Sequence, residues 1–201
     1  MADDPMTTFT AFVGVRRLAS GRLIDVALAV KERAAEEGEP ILAFDDRSGA
    51  IIDLDLRGTE VEITARFAEL GNARDATGSV ESRADPDGAP RSRGRPKLGV
   101  IAREVTLLPR QWEWLASQPG GASQALRRLV DEARRADGGQ TRTKAAREAA
   151  YRFLSALAGD LPGFEEAIRA LFAGDAGGFA DRMMAWPPDI RAHALKLAAL
   201  G

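Results

Sequence analysis

The chain has 201 residues, of which 45% are hydrophobic and 29% charged, and its formal net charge is −2. This composition predicts one or two packed, soluble domains, and the lack of cysteine excludes disulfides, thiol catalysis and cysteine-ligated metals. Because residues 1–5 are acidic and no apolar run approaches the ~20 residues that cross a bilayer, we expect a cytoplasmic protein with no membrane contact.

The first part of the chain, residues 1–70, has the pattern of a small β-α-β-β-α domain. Aromatic, β-branched and aliphatic residues predict strands at 8–15, 41–44 and 51–56. Apolar residues at helical spacing predict one helix between Ser20 and Gly38 and a second from Thr59 to Leu70. Residues 71–100 contain hardly any apolar anchor, so we expect a flexible linker there.

Charge is distributed unevenly along the chain. Residues 1–90 carry 10 basic and 18 acidic side chains, residues 91–152 carry 14 and 6, and residues 153–201 carry 4 and 6. A basic middle between acidic flanks is typical of a segment that contacts nucleic acid. The alternative is that these arginines only cover solvated helices.

The middle segment, residues 101–136, has the pattern of a strand followed by two helices. Polar and apolar residues mostly alternate over 103–108, which predicts a short strand that ends at Pro109. The Pro-Gly-Gly sequence at 119–121 separates the two helices. The second helix has an apolar stripe of Ala125, Leu126, Leu129, Val130 and Ala133. A unit this small buries too little surface alone, and a lone strand leaves both edges unpaired. We therefore expect two copies to pair across a two-fold axis.

The sequences at 93–99, 103–109 and 121–130 together resemble the ribbon-helix-helix proteins of the Arc, MetJ and CopG kind. In that family an antiparallel ribbon from two chains enters the major groove, and the N-terminus of the second helix binds a phosphate. The resemblance implies double-stranded DNA and a second copy of the chain as partners, and it assigns the phosphate to Gly121, Ala122 and Ser123. The whole chain also resembles a bacterial family of unknown function, which implies no chemistry.

The residues of the predicted ribbon that would read bases are less typical of that family. With Val105 and Leu107 facing the core, the ribbon presents Glu104, Thr106 and Leu108 outward. Of these, Thr106 is the usual kind of groove contact. If the register shifts by one residue, Arg103 reaches the groove and the alternation of the core face fails. Both Thr106 and Arg103 are candidate DNA-binding residues.

A basic arm precedes the predicted ribbon. Its sequence Arg93-Gly94-Arg95-Pro96 is similar to the core of an AT-hook, whose arginines lie in a narrow A·T minor groove. The alternative is an arm that only neutralises phosphates. In either case the candidate DNA-binding residues are Arg93, Arg95 and Lys97.

After a short break at 136–141, helical patterns predict a C-terminal helical domain over residues 142–201. The complete expectation is an α+β fold with a small N-terminal β-α-β-β-α domain, a central ribbon-helix-helix and a C-terminal helical domain. These features favour a homodimeric DNA-binding protein, a transcriptional regulator, whose flanking domains bind an unknown protein or small-molecule effector. The alternative is an adaptor or antitoxin-like protein that uses the module only for dimerisation, because Glu104 would repel phosphates.

An enzymatic function has little support in the sequence. Its only basis is a group of carboxylates near the predicted hairpin, Asp45, Asp46, Asp53 and Asp55, which are of the type that holds Mg²⁺ or Ca²⁺ but fit no known calcium loop. His193 is the only histidine, and it has no evident partner for a catalytic triad. We therefore expect His193 to be structural, and we predict no catalytic residue, no metal and no cofactor.

Overall fold

The computed structural model describes residues 8–34, 38–76 and 104–199. The strands are β1 (Phe9–Val13), β2 (Arg16–Gly21), β3 (Ile41–Asp45) and β4 (Ile51–Ile52). The helices are α1 (Leu23–Ala34), α2 (Glu60–Ala76), α3 (Pro109–Ala116), α4 (Gly121–Asp137), α5 (Gln140–Leu157), α6 (Phe164–Ala173), α7 (Ala176–Arg182) and α8 (Pro188–Ala199). The predicted α+β class is confirmed. The described residues form two compact units, one of 8–76 with 139–199 and one of 104–138.

The first unit is built on an antiparallel sheet with the strand order β2-β1-β3-β4. All five residues of β1 are buried, although successive side chains of a strand point to opposite faces. Phe9 and Ala11 pack with α1 and α2 in one hydrophobic cluster, whereas Phe12 belongs to a second cluster formed with the C-terminal helices. The sheet is therefore covered by helices on both faces.

The second cluster joins the two ends of the chain. The rings of Phe12 and Phe44 lie 5.2 and 5.1 Å from the ring of Phe153 on α5, measured between centroids. Residues from α6, α7 and α8 complete the same core. The segments that the sequence predicts as separate domains, 1–70 and 142–201, thus share one core, because the apolar sheet face opposite α1 and α2 needs a second layer of helices.

Most of the predicted elements are confirmed, with two differences in the sheet. Strand β2 was not predicted, since its exposed Arg16 and Arg17 hide the pattern of an edge strand. The strand predicted at 51–56 extends only over Ile51–Ile52. Beyond it, Leu54 and Leu56 still pack on the first cluster, so their apolar character reflects burial without strand pairing.

The turn between β3 and β4 lies directly against α5. Gly49 has a φ of +65°, and a Cβ placed on it would lie 2.0 Å from the carbonyl oxygen of Ala149. We expect Gly49→Ala to lower the free energy of unfolding by about 2–4 kcal/mol, because a left-handed backbone strain adds to a clash with a helix backbone. Urea denaturation would measure this change.

Gly14 provides a matched control for Gly49→Ala. It also has a positive φ, of +52°, but its nearest neighbour is the terminal carboxylate of Glu39, which can move away. We expect Gly14→Ala to cost about 1 kcal/mol, from the backbone strain alone. Equal losses for the two variants would contradict the close approach of the turn to α5.

Candidate nucleic-acid interface

The second unit contains the two helices predicted for the middle segment. Helix α3 begins with Pro109 in its first turn, and the side chain of Gln111 accepts a hydrogen bond from the backbone N–H of Leu108 at 2.8 Å. A proline there costs no helical hydrogen bond, and the glutamine satisfies a donor that the helix leaves free. These two features fix the start of α3 immediately after residue 108.

The turn between α3 and α4 depends on glycine. Gly120 and Gly121 have φ values of +80° and +75°, a region that other residues seldom adopt. No side chain in the described part of the chain caps the N-terminus of α4. The N–H of Gly121 donates to the carbonyl of Gln118 at 2.9 Å, while the N–H groups of Ala122 and Ser123 have no acceptor among the described residues. Of the three predicted phosphate-binding positions, two therefore have free donors.

Little of this unit is buried within the single chain. The buried residues of α3 and α4 are Leu115 and Ala125. Six large apolar side chains here are between 38% and 55% exposed, namely Val105, Leu108, Trp112, Trp114, Leu129 and Val130. Leu129 and Val130 belong to the apolar stripe predicted for the amphipathic helix α4, and both remain exposed among the described residues.

The strand predicted at 103–108 is absent over residues 104–108, the part of it that the structure describes. Residues 104–108 belong to no strand and pair with no other described segment. Leu108 nevertheless has extended φ and ψ values of −66° and 149°. Within this segment Glu104 and Thr106 are exposed and Leu107 is half-buried. Val105, which was expected to face the core, is 50% exposed.

Four of the predicted DNA-binding residues, Arg93, Arg95, Lys97 and Arg103, lie outside the described residues. The AT-hook-like tetrapeptide lies there too. Residues 104–138 contain five basic and five acidic side chains, so the helical part of the module is neutral. The basic charge of the middle segment thus comes from residues 91–103 and from α5.

The four carboxylates weighed as a metal site do not converge. Asp45 accepts a hydrogen bond from the backbone N–H of Arg47 at 2.8 Å, whereas Asp55 forms an ion pair with Arg57. The hydrogen bonds from Arg57 hold the pKa of Asp55 well below its usual range. Asp53 is exposed, while Asp46 is buried. Within the described ranges, no three His, Cys, Asp or Glu side chains are grouped so that they could hold a metal.

Asp46 instead forms a buried polar cluster with the C-terminal helix. Its Oδ2 accepts hydrogen bonds from the hydroxyls of Thr8 and Thr10, at 2.8 and 3.1 Å, and from Nζ of Lys196 at 2.7 Å. Its Oδ1 lies 3.4 Å from Nε2 of His193, and neither atom has a hydrogen-bond partner among the described residues. We call these five residues the Asp46 cluster.

The Asp46 cluster was missed by the sequence analysis, which gave His193 no partner. Burial lowers the pKa of His193 to about 4, even though the negative charge of Asp46 opposes this shift. The available signal was that His193 and Lys196 are three residues apart and share a helix face. Nothing in the sequence connects that face to a strand end 147 positions earlier.

The protein is of the α+β class. Residues 8–76 and 139–199 form its body, and the helical unit of residues 104–138, which exposes apolar side chains, lies between these two stretches in the sequence. The profile of a family described as uncharacterized proteins conserved in bacteria, DUF2239, matches residues 8–198. The chain belongs to this family. No curated protein and no solved structure matches the chain. Among the helices that the structure describes, none has the length and apolarity required for crossing a membrane.

Proposed function

We propose that this chain is a homodimeric DNA-binding protein of the ribbon-helix-helix kind and acts as a transcriptional regulator. In the dimer, residues 104–108 of two copies pair as an antiparallel ribbon, and α3 and α4 of both copies enclose a shared core. The body formed by 8–76 and 139–199 then serves as the part that binds an effector or another protein.

The unpaired segment ahead of α3 carries this proposal. Residues 104–108 precede a helix, a glycine turn and a second helix, which is the element order of the family that the sequence resembles. The same unit exposes Leu129 and Val130 on α4. Pairing with a second copy satisfies the open backbone groups of the segment and buries the apolar stripe together.

DNA contacts in the proposed dimer come from three places. In the register that places Val105 and Leu107 in the core, the ribbon brings Thr106 to the base edges of the major groove; a register shifted by one residue brings Arg103 there instead. The free N–H groups of Ala122 and Ser123, together with Gly121, bind a backbone phosphate at the N-terminus of α4. Because residues 104–138 are neutral, the phosphate neutralisation depends on Arg93, Arg95 and Lys97 in the basic arm.

The dimer is tested by placing a charge on the exposed stripe of α4. We expect Val130→Glu to raise the dimer dissociation constant about 100-fold or more, because the new carboxylate would be buried without a partner. Light scattering at micromolar concentration would measure this. Val61→Glu on α2 is the control, since Val61 is a 79% exposed valine in the other unit and the variant should remain dimeric. A monomeric native protein, or a dimeric Val130→Glu variant, would refute the proposed interface.

DNA binding is tested by gel-shift titration against random and genomic duplexes. We expect binding at about 50 mM salt, where phosphate contacts are strongest, and a steep decline as the salt concentration rises. Replacing Arg93 and Arg95 by alanine should weaken binding to all sequences and reduce the salt slope by about two. A dimer that binds no duplex at low salt would refute DNA binding while leaving the dimer intact.

A second candidate function is supported by the neutral charge of residues 104–138 and by the exposed position of Glu104. In an adaptor or antitoxin-like protein, the ribbon-helix-helix serves only to hold two copies together. This function predicts the same response to Val130→Glu but no effect of Arg93→Ala or Arg103→Ala in any DNA assay.

A further inference from the structure

We propose that Asp46, His193 and Lys196 form a pH-sensitive clasp, which holds α8 against the sheet while His193 is neutral and releases it when the ring takes up a proton. This inference concerns the body of residues 8–76 and 139–199. It is independent of the proposed DNA binding.

The position of His193 makes a charge on the ring costly. Its side chain is 1% exposed, and its ring lies 5.4 Å from the ring of Phe12 and 4.6 Å from that of Phe153, measured between centroids. An imidazolium at this position is shielded from bulk water, and burying a charge costs several kcal/mol unless its counter-charge compensates it in full.

The surrounding charges do not compensate a proton on His193. Asp46 is the carboxylate that faces the ring, and its Oδ2 is already bound by Lys196 and two threonine hydroxyls. Asp46 and Lys196 therefore balance each other, and protonation would leave the cluster with a net positive charge. Arg17 on β2 adds a further positive charge that opposes protonation. On the faces of β1 and α5 that pack against the ring, the neighbours are the apolar Phe12 and Phe153.

No hydrogen bond joins Asp46 to His193 within the clasp. Oδ1 of Asp46 and Nε2 of His193 face each other at 3.4 Å without a hydrogen bond to any described atom. Two buried polar atoms without partners weaken the attachment of α8 where its helix meets the end of β3. The apolar anchors of α8, Ile190, Ala194 and Leu197, are fully buried, so release of this helix would uncover an apolar surface.

The direction of the pH effect follows from the lowered pKa of His193. Histidine in an unfolded or released segment has a pKa of ~6.5, whereas in the folded protein burial lowers the pKa of His193 to about 4. Stability from the neutral ring is complete above pH ~6.5 and is lost as the pH falls toward 4. Between pH ~7.5 and ~5 the unfolding equilibrium constant should rise about 30-fold.

The experiment exploits the single histidine of the chain. Proton NMR of the full-length protein gives one imidazole Cε1–H resonance, which we expect to keep its neutral position from pH ~7.5 to ~5. Over the same range, hydrogen exchange of the α8 amides, corrected for intrinsic rates, should accelerate about 30-fold. Carboxylates whose pKa values are lowered, such as Asp25 and Asp55, titrate below this range and do not interfere.

The variant His193→Asn is the control, because it removes the titrating ring and keeps a polar side chain. After the same correction for intrinsic rates, the exchange of its α8 amides should not change across this pH range. Three results would overturn the clasp: a folded-state titration midpoint of the His193 resonance at about pH 6 or above, no acceleration of α8 exchange in the native protein, or equal acceleration in His193→Asn. The NMR titration uses only the native protein, so it decides the question even if the variant does not fold.

Discussion

Replacing Asp46 by alanine should lower the free energy of unfolding by about 2–4 kcal/mol. The side chain is 2% exposed, and its loss would leave the hydroxyls of Thr8 and Thr10 and the ammonium of Lys196 without their shared acceptor. We place the loss below that of a fully buried ion pair because the side chain of Lys196 is 43% exposed and can regain water. Chemical denaturation at pH ~7.5 would measure the change.

Asp53→Ala is the control for the Asp46 prediction. Asp53 is exposed and lies shortly after β4, so its removal should change stability by no more than about 0.5 kcal/mol. A similar, small loss in both variants would mean that the Asp46 cluster does not hold the end of β3 to α8.

The second large effect is expected from Phe153→Ala, which should lower the free energy of unfolding by about 3–5 kcal/mol. Phe153 is completely buried and contacts Phe12, Phe44 and His193. Because this core joins the sheet to the C-terminal helices, the variant should lose hydrogen-exchange protection in β1 and in α8 together. Denaturation followed by circular dichroism would give the magnitude.

Phe172→Ala is the matched control, since Phe172 is 46% exposed on α6 and its ring centroid lies 5.7 Å from that of Tyr151. It should cost about 1 kcal/mol or less. If Phe153→Ala weakened protection in α8 while β1 kept its native protection, the sheet and the C-terminal helices would behave as separate domains. That result would contradict the shared core.

Periodicity of apolar residues predicts most helices of this protein because it records burial on one side of a helix. The start of α3 at Pro109 and the glycine turn before α4 were also predicted, because proline and glycine restrict or free the backbone at their own positions. The edge strand β2 was missed, since Arg16 and Arg17 face solvent and carry no strand pattern. The local sequence thus indicates whether a residue is buried, but not which residue it contacts.

The candidate functional residues likewise include some that a local pattern predicts and some that it does not. Thr106, Gly121, Ala122 and Ser123 were predicted from a local strand-helix-helix pattern, of which the structure contains the two helices. The contact between Asp46 and His193 joins residues that are 147 positions apart, and it depends on how α8 packs across the sheet. Such a contact has no local signature, so only the folded chain reveals it.

The division of the body into two stretches of sequence has a consequence for how this protein is made. Residues 80–138 separate the sheet from the helices that cover its second face. During synthesis, Phe12 and Phe44 therefore leave the ribosome long before α5 and α8 exist to shield them. The entropy of closing such a loop grows slowly, by about 0.6 kcal/mol for each doubling of its length. A longer or shorter middle segment would therefore change the stability of the folded protein little. It would mainly change the time for which Phe12 and Phe44 are exposed during synthesis.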